Sequence, residues 1–267
     1  MVVRRGPLRI LDRVRSPLPS LPAVGTLLAL AASGCGADSD ATPAGTVTVL
    51  PAPADTAPAT PARSATLPAP GHLSVHVLRP TRLRAAPGGQ VAAKIAPRTE
   101  FRSPTVLPVV AQRGDWYAVI SPALPNGQVG WVSTRAELVP YATDVRIAVS
   151  LSRRQVVVRR AGRTLARFPV AVGGPSTPTP TGRFAVTDKL LTEDPGSPYG
   201  CCVLALSAHQ SRVPQGWGGG DRIALHATNL PGTIGTAASL GCLRAPEAVV
   251  RRLVHEVPLG TVVTIRP

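Results

Sequence analysis

Turn signals interrupt the chain so often from Gly71 onward that most architectures are excluded at once. Pro87-Gly88-Gly89, Arg113-Gly114-Asp115 and Pro125-Asn126-Gly127 separate short β-like runs at 72–77, 91–95, 105–111, 116–121 and 130–132. Proline removes an amide donor, and glycine and asparagine tolerate backbone that other residues avoid, so such tripeptides reverse a chain rather than extend a helix. Thirty prolines and 25 glycines in 267 residues, with only 3% aromatics, carry the reading through the whole sequence. The chain is expected to be mainly β, with no long helix.

The punctuation divides the chain into a small β-barrel at 71–142 and a second β-rich unit at 143–267. Candidate strands of the second unit are 145–151, 155–160, 164–172, 182–188, 202–207, 222–228 and 261–265. Gln155-Val156-Val157-Val158 and Val170-Ala171-Val172 are apolar without alternation, the pattern of strands covered on both faces. One short helix is expected over 246–256, where Val249, Val250, Leu253 and Val254 share a side, Arg251 and Arg252 oppose them, and Pro246 suits a first turn.

Residues 1–35 combine Arg4, Arg5, Arg9, Arg13 and Arg15 with an apolar run from Leu21 to Ala32 and end in Ala32-Ser33-Gly34-Cys35. A charged start, a run short of the roughly 20 residues that span a bilayer, and small residues at the close read as a secretion signal. Small residues directly before a cysteine resemble the bacterial lipobox, which implies lipidation of Cys35, a membrane anchor and an extracytoplasmic place in the cell envelope. Residues 36–70 are almost wholly Ala, Pro, Thr, Ser, Asp and Gly, too poor in apolar surface to fold, and read as a linker. The formal charge of +15 favours polyanions. Anionic cell-wall polymers and lipid fit better than nucleic acid, because no recognition helix, zinc-finger spacing or aromatic-rich basic stretch is present.

Ser239-Leu240-Gly241-Cys242-Leu243-Arg244, read with Leu225-His226-Ala227-Thr228, has the character of a nucleophilic site. Glycine beside Cys242 allows a tight, accessible backbone. A thiol of pKa about 8.5 is only a few per cent thiolate at neutral pH and needs a base, for which His226 is the candidate. The backbone amides of Gly241 and Cys242 are candidates for holding a tetrahedral oxyanion. Arg244 suits a substrate carboxylate or caps the preceding loop, and Thr228 and Ser239 either orient the imidazole or close local turns. Adjacent Cys201 and Cys202 form a disulfide with each other or pair elsewhere, and Cys242 has to stay reduced to act. No metal-ligand spacing is present, and neither a metal, a cofactor nor an obligate oligomer is expected; the chain is read as a monomer.

Three resemblances follow from these motifs. Arg84-Ala85-Ala86-Pro87-Gly88, Arg113-Gly114-Asp115-Trp116 and Gly130-Trp131-Val132 resemble bacterial Src-homology-3-like domains, which accompany wall enzymes. The ordered set Gly173-Gly174, Pro178-Thr179-Pro180-Thr181-Gly182-Arg183-Phe184, Leu225-His226-Ala227-Thr228, Ile234-Gly235 and Ser239 to Arg244 resembles the L,D-transpeptidase catalytic (YkuD) family. With the lipobox, the fold implied is a Src-homology-3-like barrel followed by a YkuD-type β-sandwich with one short helix. The family resemblance implies that Cys242, with His226 as base, cross-links peptidoglycan stem peptides through a thioester. Two positions depart from the family pattern: Leu240 stands where histidine is usual before Gly-Cys, and Ala227 where glycine is common after the base. Leu240 keeps two alternatives in view, a catalytically impaired wall-binding lipoprotein and an L,D-carboxypeptidase of the same fold.

Overall fold

The computed structural model describes residues 72–192, 194, 196–213 and 221–267, which fall within one compact unit. The expected signal, Cys35 and the whole of the expected linker at 36–70 lie outside the described residues.

The described chain is mainly β. Seven strands form the N-terminal sheet: β1 His72–Val77, β2 Thr81–Arg84, β3 Val91–Ile95, β4 Val106–Arg113, β5 Trp116–Val119, β6 Gly130–Ser133 and β7 Leu138–Thr143, ordered β3-β2-β6-β5-β4-β1-β7. Alternation directs Val75, Val77, Leu83, Leu107, Val109, Val119 and Val132 into one core, while Trp116 and Trp131 are half-buried beneath the guanidinium groups of Arg84 and Arg113.

Eight strands form the second sheet: β8 Val145–Ser150, β9 Gln155–Arg160, β10 Arg163–Pro169, β11 Gly182–Leu191, β12 Cys202–His209, β13 Arg222–His226, β14 Leu243–Arg244 and β15 Val262–Arg266. Their order is β10-β9-β8-β15-β11-β12-β13-β14, antiparallel except at the β8–β15 and β13–β14 pairs. Residues from both ends of this sheet, Val156 and Val158 at one and Ile223 and Leu243 at the other, share one core, so the sheet curls around it. Helix α1, Glu247–Glu256, packs on β12 and β13. It inserts Val250, Leu253 and Val254, each contributing about 1.5–3 kcal/mol by burial.

One expectation changes. Val157 is half-exposed between fully buried Val156 and Val158, so β9 has a solvated face despite its apolar run. Val170, Ala171 and Val172 are buried as expected, although they follow β10 rather than extend it, and β12 and β13, buried along nearly all their length, lie beneath the helix.

Polar contacts join the two sheets. Asn126 exchanges two hydrogen bonds with the backbone of His209, its Nδ2 donating to the carbonyl at 2.7 Å and its Oδ1 accepting from the amide at 2.9 Å. His209 Nδ1 lies 2.6 Å from Asp221 Oδ1 and its Nε2 2.8 Å from the Pro122 carbonyl. Arg222 pairs with Glu100, and the Thr99 hydroxyl donates to Asp188.

Candidate active site

Cys242 sits at the mouth of a short loop whose backbone is fixed from several sides. Ser239 donates its amide to the Val172 carbonyl at 3.0 Å, and its own carbonyl accepts from the Gly174 amide at 2.9 Å and the Thr177 hydroxyl at 3.3 Å. The Ser239 hydroxyl donates to the Cys242 carbonyl at 2.6 Å and accepts the Gly241 amide at 3.0 Å. Thr179 Oγ1 receives the Gly173 amide and donates to the Gly241 carbonyl, both at 2.8 Å. Gly241 adopts φ +118°, and a Cβ there would lie 2.9 Å from Ile223 and 3.1 Å from Gln210. Both the conformation and the packing therefore require glycine. Gln210 is held in place by donating to the Pro178 carbonyl at 2.7 Å.

His226 ends β13. That strand runs parallel to β14, with Leu225 opposite Leu243 and His226 opposite Arg244. Cys242 immediately precedes β14, and its parity matches that of Arg244, so the thiol and the imidazole belong to the same face of neighbouring strands. The ring is buried, and its Nδ1 lies 2.5 Å from the Ala227 carbonyl. A carbonyl only accepts, so Nδ1 carries the proton and Nε2 holds the free lone pair. Tyr199 presents its ring edge-on to the imidazole, with centroids 4.9 Å apart.

The electrostatics keep this pair neutral. Burial pulls His226 down to about 4; the Ala227 carbonyl opposes that and the positive charge of Arg244 adds to it. Burial pushes the Cys242 thiol up, against a backbone hydrogen bond at Ala224 and the charge of Arg244. Tyr199 is raised by burial and by Cys242, and Arg244 again acts the other way. One guanidinium thus influences all three groups, and among the described residues it has no carboxylate partner.

The remaining candidates find definite places. Thr228 is buried, and its hydroxyl accepts the Leu230 amide at 3.0 Å, closing the turn after β13. Ser239 closes the loop that carries Cys242. The Gly241 amide is directed to the Ser239 hydroxyl, and among the described residues the Cys242 amide has no acceptor. Arg244 uses its backbone to bridge Ala171 in both directions, at 2.8 and 3.1 Å. Leu240 projects outward, 63% exposed. Ala227 is accommodated by Gly200, where a Cβ would stand 2.6 Å from the Ala227 methyl. Cys201 and Cys202 are joined to each other, and Cys242 is the free cysteine among the described residues. No three His, Cys, Asp or Glu side chains converge on a possible ion among the described residues.

Sequence reasoning assigned no role to Tyr199, Thr179 or Gln210. Thr179 was visible within a motif, but its partner Gly241 is 62 residues away. Tyr199 precedes the cysteine pair in sequence and meets His226 only through the fold. A cleft of about 410 Å³ at the junction of the sheets, lined by Glu100, His209, Asp221 and Arg222 among others, does not include Cys242.

Comparison with known proteins is consistent with this geometry. The model of the L,D-transpeptidase catalytic domain, YkuD, matches residues 144–265. The provisionally named L,D-transpeptidase YkuD of Bacillus subtilis (strain 168) is 33% identical over 153 residues, covering 55% of this chain and 85% of the relative. Its counterpart from Bacillus licheniformis is 34% identical over 154 residues, covering 55% and 82%. Among solved structures, an Enterococcus faecium L,D-transpeptidase matches with 22% identity and a TM-score of 0.36, covering 46% of this chain. The match spans about half, 49%, of that enterococcal chain.

Proposed function

We propose, from the premise that the chain belongs to the L,D-transpeptidase catalytic-domain (YkuD) family, that Cys242 cross-links peptidoglycan stem peptides through a thioester. The observation that carries the reading is a neutral imidazole whose Nδ1 proton is committed to the Ala227 carbonyl, on the strand beside the nucleophile loop. With Nδ1 occupied, Nε2 of His226 is oriented to act as base.

In the proposed cycle the thiol gives its proton to His226 Nε2 as sulfur attacks the carbonyl that follows the L-centre of a tetrapeptide's diaminopimelate. The Cys242 amide holds the resulting oxyanion. Collapse breaks the C–N bond; the terminal D-alanine leaves as an amine with the proton from His226, and the acyl group remains on sulfur. The side-chain amine of a second stem then attacks the thioester and gives a proton to His226, which returns it to the departing thiolate. Arg244, which has no carboxylate partner among the described residues, supplies a positive charge for a carboxylate on the stem. The cycle needs no bound cofactor. We further place the chain outside the cytoplasm, held to the membrane by lipidated Cys35.

The test begins with a covalent probe. A carbapenem added to the reduced chain should give one adduct by intact mass, and Cys242→Ala should abolish it; absence of an adduct would sink the enzymatic reading and favour a wall-binding lipoprotein. A tetrapeptide donor supplied with an amine acceptor should yield the cross-linked product. Release of D-alanine without that product would assign the site to L,D-carboxypeptidase chemistry. Retention of a Cys35→Ala chain on membranes would refute the anchor.

A further inference from the structure

The outer face of the second sheet is an arginine surface without acidic partners among the described residues. The residues of β8, β9 and β15 that face inward are Val145, Ile147, Val149, Val156, Val158, Val263 and Ile265, all in the core. Their neighbours therefore face out. Arg146 of β8 lies directly opposite Arg159 of β9. Two residues along each strand, a continuous row runs Arg167, Val157, Ala148, Thr264, Arg183 across five strands. Arg266 stands in the next row on β15, opposite Ser150.

Opposed side chains on adjacent antiparallel strands have Cβ atoms about 4.5–5.5 Å apart, and like charges there repel. Among the described residues Arg146, Arg159, Arg183 and Arg266 have no carboxylate partner; Arg167 donates to the neutral Gln155 side chain at 2.6 Å. Asp144, at the head of β8, faces Arg160 at 3.8 Å. The surface also extends its influence to the N-terminal sheet, where burial and then the charges of Arg146 and Arg183 lower the pKa of His72. Arg146, Arg159 and Arg266 line a groove of about 280 Å³ together with Ala148, Val157 and Thr264 among others, and Arg183 flanks it opposite Thr264.

We infer that this groove binds a linear phosphodiester polyanion of the cell envelope, its phosphates held by Arg146, Arg159, Arg183 and Arg266. Guanidinium forks match phosphate oxygens in pairs, and a bound anion removes the repulsion between Arg146 and Arg159. A recessed groove receives a single chain better than a planar bilayer does. None of the strongly exposed large apolar residues lies on β8, β9, β10 or β15 to enter lipid. The groove also lacks the aromatic side chains on which single-stranded nucleic acid stacks. The choice of polymer rests on the envelope placement proposed above; the anion site itself does not.

The experiment is anisotropy titration of the full chain with a fluorescent poly(glycerol phosphate) oligomer. Four phosphate contacts on a single strand predict a slope of log affinity against log salt near about −3, or roughly a fifty-fold loss between 50 and 200 mM salt. Arg146→Gln/Arg159→Gln should weaken binding at least about tenfold and halve that slope. The control Arg98→Gln/Arg102→Gln, in the segment between β3 and β4, should change it little. An equal loss in the control, or no saturable binding, would overturn the inference. So would equal or tighter binding of phosphatidylglycerol vesicles or of oligodeoxythymidylate. The free Arg146→Gln chain should melt no lower than the parent at low salt; a lower melting temperature would give Arg146 a structural partner and refute the argument. Repeating the titration in a Cys242→Ala chain separates the two readings, because polymer binding should survive loss of the nucleophile.

Discussion

The two ends of β13 bury opposite kinds of polar group. Arg222 and His226 lie about 13 Å apart along one five-residue strand, and both are almost fully buried. At the first end a permanent cation is surrounded by acceptors: Arg222 donates to the Leu206 carbonyl at 2.7 Å, to the Thr187 hydroxyl at 2.5 Å and to Glu100, with Asp188 and Asp221 nearby. Burial lowers its pKa, and the three carboxylates act against that. At the second end, among the described residues, no carboxylate favours a charged ring; it meets a carbonyl on Nδ1 and the cation of Arg244. The strand thus holds a charged group where two sheets join and an uncharged base where chemistry is proposed. Placement of carboxylates, more than depth of burial, separates the two.

The first way to break this comparison is to remove the cation at the junction. Arg222→Ala leaves Asp188, fully buried and with one oxygen lacking a partner, without its compensating charge. A loss of about 3–5 kcal/mol in urea denaturation is expected. A loss below about 1 kcal/mol would show that the junction does not depend on charge balance.

The next test is pH. His226 in the fold is lowered from 6.5 to about 4, so between those values the unfolded chain binds the proton more readily. Its contribution is present above pH 6.5 and is lost as pH falls toward 4, on the order of 3 kcal/mol. Subtracting the curve of His226→Gln should expose that slope. A difference that is flat across the window would mean that the ring accepts a proton without cost in the fold.

The smallest effect sharpens the loop itself. Thr179→Val removes one hydroxyl that serves both the Gly173 amide and the Gly241 carbonyl, and should cost about 1–3 kcal/mol. It should also slow alkylation of Cys242 by iodoacetamide. Unchanged alkylation would reduce Thr179 to a support of the fold.

Much of the second sheet was legible because its strands are long and apolar, and the expected starts of β9, β11, β12 and β13 coincide with the observed ones. The shortest pieces escaped notice. β2 has one apolar side chain among Thr81, Arg82, Leu83 and Arg84, and β14 has two residues. β7 was hidden by Pro140, which an edge strand tolerates because its missing amide can face away from the ladder. Val157 misled for a related reason: valine suits an extended strand on either face, so composition did not reveal that one face is open. At the candidate site the motifs exposed Cys242 and His226, but not Thr179, Gln210 or Tyr199. Those three reach the site through contacts between distant segments, which local patterning does not encode.

The bond between Cys201 and Cys202 bears on how this chain can be measured. Because those neighbours occupy each other, Cys242 has no competitor for a thiol reagent among the described cysteines. In a chain whose Cys35 is replaced, one equivalent of a chromogenic disulfide should therefore count proposed active sites directly, giving the fraction of competent molecules before any substrate is added.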